Sequence, residues 1–294
     1  MLKPIEECHT MGVLNITPNS FSDGGKYLEK SVLLSTLEEY KKYPDLIFDF
    51  GFESTAPMNR AIDSQTEKKR MMDFLDQIVD VDLSMRWISV DTYQLNNFLY
   101  FYDEIKKRYP TCGIILNDVS GVLDQPLVDC LSLMKKDKNF YYLYSATNIL
   151  DRDNVLEHMK CISQEDIFLQ LARKIENFLA WIKSYNFNSE QIIFDPALGF
   201  SKTYEQNWQI IDGLKNFFEA NTKYKKFIWL LGFSKKSFMQ KKFLPAQDPK
   251  QESESLHAQL VNDFLLLPTR GVIFRVHDPL IVKNAPNLSK IHCI

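Results

Sequence analysis

Polar side chains that could do chemistry stand directly after short apolar runs at several points along the chain. Asn15 follows the run at residues 11–14, and Asp91 and Asn117 follow two later runs. Carboxylates accept hydrogen bonds from ring N–H groups and amides both donate and accept, so these residue types suit a flat nitrogen heterocycle. The neutral oxygen of Asn15 could bind Mg²⁺, which takes few protein ligands when a diphosphate supplies the rest.

Four further residues add charge to this set. Asp195 ends a later apolar run, and Lys236 could donate to a ring carbonyl. Arg275 and His277 are two residues apart on a predicted strand, so they would share one face and could donate to an anion. An alternative for Arg275 is an ion pair with a neighbouring carboxylate such as Asp278.

Each of these residues also has a purely structural interpretation. Side chains of Asp, Asn and Thr cap helices where a strand gives way to a helix. A single such residue, for example Asp118 or Thr203, is therefore more often structural than catalytic. Capping does not explain why acids, amides and cations follow successive apolar runs. The mixture indicates one shared binding site.

The pattern of apolar runs predicts the elements that would position these side chains. Amphipathic stretches separate the runs: one covers residues 165–185 behind a cap formed by Ser163 and Asp166, and another begins at Thr203 with Gln206 three residues on. The predicted strands lie at residues 11–14, 46–50, 87–90, 113–116, 140–144, 192–194, 227–231 and 272–276.

Eight strand–helix units without a linker predict an α/β fold, a single (β/α)₈ TIM barrel that spans residues 1–294 as one domain. Catalytic residues of such barrels lie at the C-terminal ends of the strands, where the polar residues stand. A doubly wound sheet is the alternative. It is weakened because no Gly-x-Gly-x-x-Gly sequence follows the first strand.

Composition excludes several classes of protein. With 35 basic and 38 acidic residues the net charge is −3, which offers no electrostatic footprint for nucleic acid. No signal peptide or membrane span is recognisable, so we expect a cytoplasmic protein without a membrane partner. The five cysteines form no Cys-x-x-Cys pair and are expected to be reduced thiols.

Seven segments occur in order along the chain and carry a resemblance. They read MGVLNITPNSFSDGG at residues 11–25, EST at 53–55, ISVDTY at 88–93, LNDVSG at 116–121, DP at 195–196 with GFSKT at 199–203, SKKSF at 234–238 and RVHD at 275–278. Together they resemble the dihydropteroate synthase family of pterin-binding barrels.

The resemblance implies a Mg²⁺-assisted condensation of 6-hydroxymethyl-7,8-dihydropterin diphosphate with p-aminobenzoate, which releases pyrophosphate. It also implies a homodimer and a target of sulfonamides. The two small molecules would be the partners of the chain. By motif, the pterin would be held by Asp91, Asn117, Asp195 and Lys236, the diphosphate by Arg275 and His277, and the metal by Asn15, with Asp23 near the developing cation and Thr55 and Ser234 on the substrate side.

Several positions depart from the family pattern. Phe52 replaces a glycine and Ala56 replaces the arginine of the second loop, and Arg60 could supply a substitute guanidinium or be an ordinary solvated side chain. In the fifth strand segment, Tyr144 or Ser145 could line the pterin pocket. These departures concern the p-aminobenzoate side of the site and one wall of the pterin pocket.

Two other functions stay open at this point. One is a paralogue that binds pterin without condensing it, which the changes in the second loop motivate. The other is a methyltetrahydrofolate methyltransferase, which shares the barrel and the pterin-binding acids. The residues suited to a diphosphate, Lys236, Arg275 and His277, count against the methyltransferase.

Overall fold

Eight parallel strands alternate with helices and close into a barrel in a computed structural model of the protein, which describes residues 1–17, 27, 29–53 and 61–291. Each strand pairs with the next along the chain, and the last pairs with the first, so the predicted (β/α)₈ barrel is confirmed. The strands are β1 (Thr10–Asn15), β2 (Leu46–Gly51), β3 (Trp87–Asp91), β4 (Gly113–Asp118), β5 (Phe140–Ser145), β6 (Ile192–Asp195), β7 (Ile228–Leu231) and β8 (Gly271–Val276).

The helices surround the barrel, and within the described residues none is long and apolar enough to cross a membrane. They are α1 (Lys30–Tyr40), α2 (Ser64–Gln77), α3 (Leu95–Arg108), α4 (Gln125–Met134), α5 (Ile167–Ser184), α6 (Tyr204–Ala220), α7 (Ser237–Lys241), α8 (Pro249–Phe264), α9 (Leu280–Lys283) and α10 (Leu288–Ile291), with 3₁₀ turns at Ile5–Glu7, Arg152–Lys160, Ser189–Gln191 and Thr222–Tyr224.

The two predicted helix starts had different outcomes. At α6 the side chain of Thr203 accepts from the backbone N–H of Gln206, and the Gln206 side chain bonds back to Thr203, so the predicted capping box is present. At α5 the predicted start at residue 165 is two residues early. Asp166 alone is the cap, and it accepts from two backbone N–H groups of the first turn, so Ser163 lies outside the helix.

The interior of the barrel changes from apolar to polar along the strands. Side chains of a strand alternate between its two faces, and the inward ones in the N-terminal half form one apolar cluster. Two positions further along, the inward side chain of several strands is polar: Ile47 is followed by Asp49, Ile115 by Asn117, Leu143 by Ser145, Ile193 by Asp195 and Ile273 by Arg275. Polar groups therefore collect inside the C-terminal end of the barrel.

The N-terminal segment closes the opposite end of the barrel. Ile5 and Cys8 join the inner apolar cluster, and the indole of Trp87 donates to the carbonyl of Lys3 at 2.8 Å. Cys8 is a free thiol whose pKa burial raises to about 12, so it is unreactive at neutral pH. A ligand of this barrel must therefore bind at the C-terminal end.

Candidate active site

The guanidinium of Arg275 joins the fully buried carboxylate of Asp49 to the largely buried carboxylate of Asp91 at the C-terminal end of the barrel. Its Nε donates to Asp49 Oδ2 at 2.7 Å, and its Nη2 donates to Asp91 Oδ2 at 2.6 Å. Burial alone would lower the pKa of Arg275, but Asp49 and Asp91 raise it well above its usual range. The ion pair considered from the sequence therefore exists with different partners, Asp49 and Asp91 rather than Asp278.

Asp49 lies at the centre of this polar layer, although sequence reasoning did not include it in the site. Its carboxylate is fully buried and accepts from the Ser89 hydroxyl at 2.5 Å, and the amide of Asn117 lies 3.4 Å from it. A signal was present in the sequence, because Asp49 stands two residues after Ile47 and thus on the inward face. Asp49 connects the Arg275 side of the site to the Asn117 side.

Four of the residues predicted to bind substrate line one cavity inside the barrel mouth. Asn117, Asp195, Lys236 and Arg275 surround it and come from different parts of the barrel. The ammonium of Lys236 lies 4.4 Å from the centre of the Phe200 ring, which forms part of the same wall. The cavity presents an amide, a carboxylate and two cations next to an aromatic face.

Burial shifts the protonation of these groups. It raises the pKa of Asp91 to about 6, although the neighbouring Arg275 opposes the shift. It also raises the pKa of Asp195, whose carboxylate accepts from the Ala197 backbone N–H at 2.7 Å. Burial lowers the pKa of Lys236 to about 8. Desolvation therefore weakens the charged forms of these three groups, as is common in binding sites for polar ligands.

Lys202 is a second functional candidate that sequence reasoning missed. Its buried ammonium donates to the carbonyls of Ala197 and Phe200 at 3.1 Å each and of Ala146 at 3.3 Å. Burial lowers the pKa of Lys202 to about 7. The segment GFSKT at residues 199–203 contains Lys202, but the sequence did not show its bonding partners, because the carbonyls that it binds come from two different loops.

Two residues in the segment between β6 and α6 have a left-handed backbone, the conformation that favours glycine. Ala197 has φ of 57° and Ser201 has φ of 53°. A residue with a Cβ in this region costs about 1–2 kcal/mol relative to right-handed backbone. Lys202 stabilises this backbone conformation through the bonds to the carbonyls of Ala197 and Phe200.

Ser234 and His277 lie together but outside the cavity that Arg275 lines. Strand β8 ends at Val276, so His277 stands beyond the strand, and its Nδ1 lies 3.1 Å from the hydroxyl of Ser234. His277 lines a separate groove with Lys235. The structure therefore brings His277 to Ser234 and places Arg275 deeper inside the barrel.

Asn15 is the last residue of β1, and it pairs with Gly51, the last residue of β2. A Cβ on Gly51 would lie 3.2 Å from Asn15 Oδ1 and 3.7 Å from Asp91 Oδ2, so the absence of a side chain leaves these two oxygens facing one space. One neutral and one anionic oxygen suit a hard cation that receives its other ligands from a substrate. Within the described residues no three His, Cys, Asp or Glu side chains could hold a metal by themselves.

Phe52, which replaces a family glycine, is part of the hydrophobic core. Its ring is fully buried and lies 5.5 Å from the rings of Phe74 in α2 and Phe101 in α3. It therefore packs into the helix layer and does not line the cavity. Four other residues discussed from the sequence, Asp23, Thr55, Ala56 and Arg60, lie outside the described residues.

The fifth strand contributes Ser145 to the cavity and not Tyr144. The Tyr144 ring stacks on Phe178 of α5 at 4.2 Å, on the outer face of the barrel. Ser145 points the other way and lines the cavity with Asn117 and Asp195. Of the two alternatives left open by the sequence, Ser145 is the one that lines the cavity, because alternation along the strand turns Tyr144 towards the helices.

The geometry of this site agrees with the comparison to protein families. A family model described as a pterin binding enzyme matches residues 11–263. The chain belongs to the pterin-binding enzyme family. The match covers every strand of this pterin-binding enzyme except β8, which carries Arg275.

Relatives of this pterin-binding enzyme cover most of its length. The chain is 27% identical over 241 residues to a dihydropteroate synthase of Clostridium beijerinckii. That match covers 80% of this chain and 77% of the relative. The chain is 28% identical over 218 residues to a mitochondrial folate synthesis bifunctional protein of Arabidopsis thaliana. That match covers 73% of this chain and 37% of the longer relative.

The fold of this pterin-binding enzyme is also that of a solved structure. It superposes on a Yersinia pestis dihydropteroate synthase in complex with a sulfonamide drug with a TM-score of 0.75. The sequences are 18% identical, and the superposition covers 99% of this chain and 95% of the other. At this identity the likeness concerns the fold.

Proposed function

We propose that the protein is a dihydropteroate synthase, which condenses 6-hydroxymethyl-7,8-dihydropterin diphosphate with p-aminobenzoate in folate biosynthesis. The observation that carries the proposal is the buried cavity of this pterin-binding enzyme, where Asn117, Asp195 and Lys236 stand next to Arg275. The relatives named as dihydropteroate synthases support the same reaction.

The cavity residues suit the pterin ring. The carboxylate of Asp195 can accept hydrogen bonds from ring N–H groups, and the ammonium of Lys236 can donate to a ring nitrogen or carbonyl. The side-chain amide of Asn117 can both donate and accept. Phe200 supplies an apolar face against which a flat ring can pack. Asn117 is buried and Asp195 and Lys236 are only partly exposed, so each bond forms largely away from water and discriminates against ligands that lack the matching group.

The cations suit the leaving group. When the C–O bond to the diphosphate breaks, negative charge grows on the departing pyrophosphate and positive charge on the pterin methylene. Arg275 is permanently charged and lies at the barrel mouth, so it can stabilise the growing negative charge. The amine nitrogen of p-aminobenzoate then bonds to the methylene carbon and loses a proton, and no covalent enzyme intermediate is needed.

We propose that Mg²⁺ takes part, held by Asn15 at the corner that Gly51 leaves open. When bound, the ion would neutralise charge on the diphosphate. We expect a chelator to abolish turnover and added Mg²⁺ to restore it. We also propose that the protein forms a homodimer, as the family resemblance implies, which ultracentrifugation would test. We further propose a cytoplasmic location, which cell fractionation would test. Small molecules are the proposed partners, with no nucleic acid or membrane.

The decisive experiment measures dihydropteroate formation from the two substrates with Mg²⁺ at saturating p-aminobenzoate. We expect product from the native chain and none from Lys236→Met, which removes the ammonium at similar volume. Tight binding of the pterin diphosphate without product would favour the pterin-binding paralogue, for which Ala56 is the motivating observation. Methyl transfer to a corrinoid protein should be undetectable, and its detection would contradict the proposal.

Pterin binding should weaken below pH 6. Burial raises the pKa of Asp91 to about 6, so below that pH its carboxyl is protonated and loses the negative charge that pairs with Arg275 and attracts ring N–H donors. We expect the affinity for 6-hydroxymethyl-7,8-dihydropterin, which lacks the titrating diphosphate, to fall by about tenfold per pH unit below that value. Calorimetry between pH 5 and about 8 measures it. Asp91→Asn is the control, and an equally steep fall in that variant would assign the titration to another group.

A further inference from the structure

Ser145 carries an unused hydroxyl inside the cavity. The side chain is only 2% exposed, and its Oγ has no hydrogen-bond partner among the described residues. A buried hydroxyl without a partner destabilises the folded protein, because it has lost its hydrogen bonds to water. The fold carries this cost at a position that lines the cavity with Asn117 and Asp195.

The strand register explains why the Ser145 side chain faces the cavity. Ser145 pairs with Asp195 of the next strand, and Leu143, two residues before it, pairs with Asn117 on the other side. Leu143 belongs to the inner apolar cluster, so Ser145 stands on the same inward face one layer higher. The hydroxyl thus lies in the polar layer between a carboxylate and an amide that are both suited to a heterocycle.

Neighbouring groups do not compete for this hydroxyl. The Asp195 carboxylate accepts from the Ala197 backbone N–H, and the Thr147 hydroxyl donates to the carbonyl of Ser120. The backbone of Ser145 is also engaged, since its carbonyl accepts from Thr147 N–H at 2.8 Å. The side chain is therefore the part of this residue that remains available to a ligand.

We propose that the Ser145 hydroxyl binds the nitrogen heterocycle directly and is a specificity-determining contact of the pterin pocket. The inference rests on the proposed function for the identity of the heterocycle. A hydroxyl can donate to a ring nitrogen or carbonyl and accept from a ring N–H, so it can complete the hydrogen bonds that Asp195 and Asn117 leave unmade. Binding of the ring satisfies a group that is unsatisfied in the free protein.

The test compares Ser145→Ala with Thr10→Val. Thr10 is an ideal control because its hydroxyl is also buried without a partner among the described residues, but it lies at the start of β1, at the opposite end of the barrel. Both changes remove one unsatisfied hydroxyl, so both should leave Tm unchanged or raise it. Only Ser145→Ala should weaken pterin binding. We expect it to raise the Kd for 6-hydroxymethyl-7,8-dihydropterin and the KM for its diphosphate by about 3–15-fold.

The KM for p-aminobenzoate should stay the same in both variants. Equal pterin Kd values for the native chain and Ser145→Ala would overturn the inference and leave the proposed function standing, because an ordered water would then be the partner of the hydroxyl. An equal loss of pterin affinity in Thr10→Val would also overturn the inference. Absence of pterin binding by the native chain would instead overturn the proposed function.

Discussion

Arg275→Ala is expected to lower kcat/KM for the pterin diphosphate by about 10²–10³-fold, the usual effect of removing one donor that stabilises charge in a transition state. The same change leaves Asp49 and Asp91 without their shared cation inside the barrel. Removing one partner of a buried ion pair costs about 3–5 kcal/mol of stability. Steady-state kinetics and urea denaturation would measure the two effects separately.

Two further variants separate the catalytic effect from the structural one. Arg275→Lys keeps a charge near Asp49 and Asp91 but loses the planar fork, so we expect partial activity with a smaller loss of stability. Arg270→Ala removes an arginine just before the N-terminal end of the same strand, where it pairs with Glu6, and should leave kcat/KM unchanged. An Arg275→Ala variant that is folded and has native kcat/KM would refute the role assigned to this guanidinium.

Arg152→Met is expected to lower the free energy of unfolding by about 3–5 kcal/mol, because it removes one partner of a buried ion-pair network. The guanidinium donates to fully buried Asp118 at 2.8 Å and to Asp124 at 3.0 Å. It also donates to the carbonyls of Tyr93 and Val122 at 3.2 Å each. One side chain thus connects the segments that follow β3, β4 and β5, and its loss leaves a carboxylate in the core without a counter-charge.

Arg173→Met is the matched control for this prediction. It removes the same type of side chain from an ion pair with Glu165 whose members are both partly exposed. Solvent screens such a pair, so we expect a change within about 0.5 kcal/mol. Urea midpoints at constant m-value would compare the two variants. Equal destabilisation by both would show that the Arg152 network contributes no more than a surface pair.

Local sequence patterns were sufficient to predict the barrel and most of its strand ends. The apolar runs are short and alternate with helical patterns. A parallel strand that is buried on both faces has such a run as its sequence, so the runs predict parallel strands. The predicted strand at residues 272–276, for example, differs from β8 by one residue. The Thr203 cap was equally predictable, because its partner Gln206 lies three residues away.

Sequence alone determined which polar residues stand at the barrel mouth, because position along a strand sets both the end and the face on which a side chain lies. It therefore brought Asn117 and Asp195 into one predicted site, to which the segment after β7 adds Lys236, and all three line the cavity. The roles of these residues in binding substrate stay predictions. The same alternation also distinguishes inward Ser145 from outward Tyr144, although the sequence reasoning left both open.

Tertiary structure alone decided which of these residues meet. Arg275 pairs with Asp49 and Asp91, residues more than a hundred positions away, because closure of the barrel places β8 beside β1 and so brings its inward side chains within reach of those of β2 and β3. Lys202 binds carbonyls from two loops, and Phe52 packs between two helices. Strand patterns act over a few residues, whereas ion-pair partners and buried protonation depend on the distances and desolvation that the closed barrel creates.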